Sequence, residues 1–171
     1  MKKIILSILI LILLTGCSGL YNLDNFILPD DSEFLALIEE LNNPEKICQY
    51  MKDNFTYELH ILDPLTPYQL YILRKGDCDD FYNWAAFLAN YHGYEVYQVM
   101  IYQKNTIIKH CIAIYKEDGK YNFSDNQYYI FIEATNFKEI VEYDKYLTGK
   151  DWIKYIVYDY WNDIVEEISN N

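Results

Sequence analysis

Three side chains in the middle of the chain have the types and the order of a thiol acyl-transfer site: Cys78, His110 and Asp125. In such a site the thiolate attacks a carbonyl, an imidazole takes the thiol proton, and a carboxylate on the imidazole's other nitrogen fixes its tautomer. Cys78 stands in Gly76-Asp77-Cys78-Asp79-Asp80, directly ahead of Phe81, Tyr82, Ala85, Ala86, Leu88 and Ala89, whose spacing predicts a buried helix. The start of a helix favours a thiolate through its backbone N–H groups and the positive end of its dipole. Asp77, Asp79 and Asp80 oppose that charge if they face the sulfur. They are therefore expected to point away or to cap the helix, with His110 as the positive partner.

The choice of Asp125 rests on strand geometry. On an extended strand Ile108, His110 and Ile112 share one face and Cys111 takes the other. If Asp118 and Gly119 are the central pair of a two-residue hairpin, facing positions add to 237, so Asp125 lies opposite Ile112 and Asn126 opposite Cys111. Asp125 is then on the His110 face, on its diagonal and roughly 7 to 8 Å away before the side chains reach out. A slip of one residue would exchange Asp125 for Asn126.

The elements that position these groups follow from pattern and punctuation. Asp31 or Ser32 caps a helix carrying Phe34, Leu35, Leu37, Ile38 and Leu41, and Asn43-Pro44 opens a second that runs to about Asn54. Thr66-Pro67 opens a short third helix through Leu70 and Leu73, with Gly76 as its expected stop. The Cys78 helix ends at His92-Gly93. Beyond it the period changes to two: Tyr94 to Tyr102, Ile107 to Tyr115, a strand from Tyr121, Tyr128 to Ala134, and Ile153 to Tyr158 read as strands. Phe137 to Leu147 and Trp161 to Ile168 read as helices. Helices first and mostly antiparallel strands after predict an α+β fold, the Cys-bearing helix packed on the sheet.

The N-terminus is an address. Lys2 and Lys3 precede an apolar stretch from Ile4 to Leu14, the pattern of a secretory signal, and Leu14-Thr15-Gly16-Cys17 resembles the lipobox of bacterial lipoproteins. That resemblance implies a lipid on Cys17, cleavage after residue 16, and a cell-envelope location on the outer face of a bacterial membrane. Residues 17–29 are expected to be a flexible tether and 30–171 a single domain. Cleavage removes two lysines and no acid, taking the charge from −12 to −14, which excludes nucleic acid as a partner. Aromatic residues make up 18% of the chain and are expected to line a half-buried sheet. A monomer is expected.

Other chemistries fit less well. A zinc set of Cys78, Cys111, His110 and Asp125 fails on the strand alternation that turns Cys111 away from His110, and the acidic residues around Cys78 lack the glycine and distal glutamate of a calcium loop. No metal and no cofactor are expected. Cys48 and Cys111 either pair in an oxidising compartment or stay as buried free thiols. His92 is assigned to the helix terminus, and His60 has no role.

The segments Thr66-Pro67 through Arg74-Lys75-Gly76-Asp77-Cys78-Asp79-Asp80, Gly93-Tyr94-Glu95-Val96, Lys109-His110, Asp118-Gly119-Lys120 and Ser124-Asp125-Asn126 resemble the core of the transglutaminase-like superfamily, with the bacterial transglutaminase-like cysteine proteinases the nearest in pattern. The resemblance spans residues 62–130 and implies a papain-like fold with Cys78 as nucleophile, His110 as base and Asp125 as third member. It implies a hydrolase or acyltransferase acting on amide bonds of proteins or peptides, or a module that keeps the fold without turnover. Two positions depart from the pattern: Cys111 replaces the aromatic residue that often follows the histidine, and the oxyanion partner has only Gln69 and Tyr68 as candidates by type.

Overall fold

Asp31 starts the first helix: its carboxylate accepts hydrogen bonds from the N–H groups of Glu33 and Phe34, both at 3.0 Å, and α1 runs Ser32–Glu40. The computed structural model of the protein describes residues 23, 26–60, 63–107 and 109–170; the signal segment, Cys17 and Ile108 lie outside them. Asn43 caps α2, Pro44–Asn54, with its side-chain oxygen on the Lys46 N–H at 2.9 Å and proline in the first turn. β1, Thr56–Tyr57, follows. Thr66 and Gln69 form a reciprocal capping box at the start of α3, Pro67–Leu73.

Gly76 does not stop α3. Arg74 does so, in the left-handed region at φ 59°, with its N–H on the Leu70 carbonyl. A non-glycine residue is held there because its guanidinium lies 4.3 Å from the Tyr71 ring centroid and donates to the Tyr50 hydroxyl. Gly76 belongs instead to β2, Lys75–Gly76, which pairs in parallel with β1 in a small sheet that the sequence pattern did not predict. Two residues per strand are too few to show a period. α4, Cys78–Tyr91, begins at once and ends at His92 and Gly93, the latter at φ 83°.

The remaining elements are β3 Glu95–Gln103, β4 Lys109–Glu117, β5 Lys120–Asp125, β6 Tyr128–Ala134, α5 Phe137–Thr148, β7 Trp152–Asp159 and β8 Ile164–Ser169. The six strands form one antiparallel sheet in the order β6-β5-β4-β3-β7-β8. The helix expected over Trp161 to Ile168 is absent. Asp159 accepts from the N–H groups of Trp161 and Asp163, closing a turn through Asn162 at φ 69°, and β8 then pairs back on β7. The β-branched Ile164, Val165 and Ile168 suit that strand better than a helix.

Helices cover both faces of the sheet, so it is not half-buried as expected. Cys111, Ala113 and Tyr115 pack with α1, α2 and α4, including the fully buried Trp84; Ile112 and Ile114 pack with Val99, Ile101 and the α5 residues Ile140 and Val141. β4 is therefore buried from Cys111 through Tyr115 without a break. The core also reaches into the stretch expected to be tether: Leu23 is buried, and Phe26 meets Phe87 edge-on at 4.9 Å between centroids.

The hairpin is the expected two-residue turn. Asp118 and Gly119 have φ values of 51° and 77°, and Glu117 pairs with Lys120 and Ala113 with Ser124. Gly119→Val forces a β-branched residue into the left-handed region and is expected to destabilise the protein by about 1–2 kcal/mol in urea unfolding. An unchanged midpoint would show that the turn does not hold the register.

Candidate active site

Cys78 is the first residue of α4, 5% exposed, and lies in the apolar cluster on the α4 face of the sheet. Around it Asp77, Asp79 and Asp80 are all buried. Asp80 organises the helix start. One of its oxygens accepts from the Asp77 N–H at 2.8 Å and meets His60 Nε2 at 2.6 Å; the other accepts from the Leu65 N–H at 2.6 Å. Asp77 in turn accepts from the His60 N–H at 3.2 Å. The expectation that these carboxylates cap the helix describes Asp80, while His60, unassigned from the sequence, proves to be its ion-pair partner. Burial raises the Asp80 pKa against the lowering effect of the Leu65, His60 and Asp77 bonds.

One oxygen or nitrogen from each of His60, Asp77, Asp79 and Asp80 falls within 4.8 Å of the others, so these four side chains could together hold a divalent cation. No loop pattern in the sequence signalled this, because His60 comes from a segment 17 residues before Asp77.

His110 and Asp125 meet. His110 Nε2 lies 2.8 Å from Asp125 Oδ1, and the same oxygen accepts from the Asn126 amide at 2.9 Å. The second residue of β4, His110 pairs with Ile101, whose side chain belongs to the α5-face cluster, so strand alternation sends the imidazole to that face. Cys111, facing the other way, accepts from Gln98 Nε2. Cys78 and the His110–Asp125 pair are thus carried by different layers, the thiol by the α4 side and the pair by the α5 side at the start of β4.

α5 adds a group that the sequence reading missed. Asp144, 2% exposed, brings Oδ1 to 3.9 Å from His110 Nε2, and that oxygen accepts no hydrogen bond among the described residues. Burial, opposed by the His110 charge and reinforced by Asp125, raises the Asp144 pKa to about 6. At His110 burial disfavours the imidazolium, but the Asp125 bond and the charges of Asp125 and Asp144 outweigh it and raise the pKa.

The two oxyanion candidates lie on α3 with partners of their own. The exposed Gln69 is engaged in the α3 capping box, and the Tyr68 hydroxyl donates to Asp31 at 2.9 Å. Cys48, Cys78 and Cys111 are all free thiols, so the disulfide alternative is not realised. Cys48 sits 4.0 Å from the Tyr115 hydroxyl, and burial pushes its pKa up to about 12.

Comparison with known proteins gives two findings. Residues 1–18 match the family model for the prokaryotic membrane lipoprotein lipid attachment site. The fold matches Legionella pneumophila LapG with a TM-score of 0.50 at 13% identity, over 72% of each chain. A second LapG structure, from EGTA-treated protein, gives 0.49 at 13% identity over 72% of this chain and 70% of that one. At such identity the likeness shows the fold, an α+β core of papain-like, transglutaminase-like type. No curated protein matches the sequence.

Two predictions follow from the site's packing and charge. A Cβ on Gly76 would stand 2.4 Å from Asp80 Oδ2 and 2.8 Å from Asp80 Cβ, so Gly76→Ala is expected to cost about 2 kcal/mol or more in urea unfolding and less in an Asp80→Ala background, where the carboxylate contact is removed and only the Cβ approach remains. Equal costs in the two backgrounds would refute the close approach. Asp144 holds its proton more tightly folded, about 6 against 3.8, so its contribution to stability is full below pH 3.8 and lost as pH rises through 6. Asp144→Asn should therefore gain about 1–2 kcal/mol relative to the parent between pH 5 and pH 8; a gap independent of pH would contradict the raised pKa.

Proposed function

We propose that this is a lipid-anchored cysteine hydrolase or acyltransferase on the outer face of a bacterial membrane, acting as a monomer on amide bonds of proteins or peptides. The observation that carries the reading is the 2.8 Å bond between His110 Nε2 and Asp125 Oδ1 on a transglutaminase-like fold whose core helix begins at Cys78. With Nε2 held by Asp125, Nδ1 is the nitrogen left for the thiol. His110 takes the Cys78 proton to give a thiolate–imidazolium pair, the thiolate attacks the carbonyl carbon, and N–H groups at the start of α4 stabilise the oxyanion. The C–N bond then breaks, the amine leaves with the proton from His110, and water or a second amine cleaves the acyl-thioester with His110 again as base. No cofactor is required. These steps require thiol and ring to meet around the first residues of β4, where His110 stands.

A second reading, a binding or envelope-assembly module without turnover, is favoured by the separation of Cys78 and His110 onto different layers and by the commitment of Gln69 and Tyr68 elsewhere. Iodoacetamide labelling of the full chain in detergent, mapped by mass spectrometry, separates the two. The enzyme reading expects Cys78 to react at least about tenfold faster than Cys48 or Cys111, and His110→Ala to remove that advantage. Uniform rates, or a Cys78 rate indifferent to His110, would establish the second reading.

A further inference from the structure

We infer that Asp144 is a positioning residue for His110, a second carboxylate from α5 that holds the imidazole in its protonated form and against Asp125. The inference rests on His110 being the base of the proposed reaction, and it assigns the control of that base to an element outside the Cys, His, Asp set. The geometry is that of a part-buried three-centre cluster: Asp125 at 2.8 Å and Asp144 at 3.9 Å approach the same ring nitrogen from β5 and from α5. Asp144 is 2% exposed, and its Oδ1 has no hydrogen-bond donor among the described residues, so the imidazolium is the group that compensates it.

The other elements packed around His110 offer little competing charge. β3 presents the apolar Ile101 beside it, β7 presents Tyr155 with its hydroxyl turned to Glu166, and Asn126 contributes a neutral amide to Asp125. Lys150, beyond the end of α5, is a cation whose field opposes the imidazolium. Two carboxylates against one lysine leave the balance toward the charged ring, the form that accompanies a thiolate in a cysteine enzyme. Both carboxylates act on the Nε2 edge of the ring, so the Asp125 bond sets the orientation of the base and the Asp144 charge from α5 strengthens that bond by favouring the imidazolium.

The test is an NMR titration of the His110 ring in the full chain in detergent micelles, comparing the parent with Asp144→Asn and Asp144→Glu. The expected result is a His110 pKa lower by about 0.5–1 unit in Asp144→Asn and restored toward the parent in Asp144→Glu, with the amide spectrum otherwise preserved. If Asp144→Asn does not fold, the titration of Lys150→Gln, expected to move the His110 pKa the opposite way, and of Asp144→Glu decides in its place. A His110 pKa unmoved in folded variants overturns the inference. Cys78 labelling rates measured on the same samples keep the two questions apart: selective labelling with an unmoved pKa sinks the role of Asp144 alone, and a moved pKa without selective labelling sinks the enzyme.

Discussion

The start of α4 depends on one buried carboxylate. Asp80 receives the Asp77 N–H, the Leu65 N–H and the His60 ring, and so joins the helix start to two stretches of the preceding loop with a single side chain. An ionised carboxyl in that position is tolerable only with several donors around it, and the loss of any one leaves a charge in a dry site. The same constraint explains Gly76, since no side chain fits between the β2 backbone and the Asp80 oxygens. Cys78 inherits its place from this arrangement as the first residue of the helix that Asp80 anchors.

Coverage of both sheet faces is the second constraint. Once helices lie on each side, every residue of a central strand is assigned to one layer or the other, and a histidine on β4 shares its environment with Ile101 and α5 rather than with its neighbour Cys111. The chemistry of the His110–Asp125 pair is therefore set by the α5 side, and its access to Cys78 by the point at which β4 begins.

Much of this was legible in the sequence where local rules act alone. Asp31, Asn43 and Thr66 cap the helices they were expected to cap, and the Asp118-Gly119 turn set a register in which Asp125, and not Asn126, bonds to His110. The failures share a physical cause, tertiary context. Trp161 to Ile168 has an apolar spacing compatible with a helix, but the Asp159 side chain makes a turn there and β7 offers an unpaired edge. Gly76 looked like a helix stop because glycine usually is one, whereas the aromatic and cation contacts of Arg74 made a glycine unnecessary there. Asp144 and His60 were invisible as site residues because neither sits at a diagnostic spacing from the groups it meets.

Cys48 shows what Cys78 must overcome. Both thiols are buried in the same cluster, and burial, against the lowering effect of the Tyr115 and Ser124 hydrogen bonds, takes Cys48 to a pKa of about 12, leaving it almost entirely protonated at neutral pH. A thiolate at the start of α4 draws support from the N–H groups of the helix and from an imidazolium partner. Asp125 and Asp144 raise the His110 pKa, which makes the ring a stronger base and, once protonated, a more persistent counterion for sulfur. A site built in this way works through an ion pair between thiolate and imidazolium or does not work at all. The distance between sulfur and ring around the start of β4 is thus the quantity on which catalysis turns.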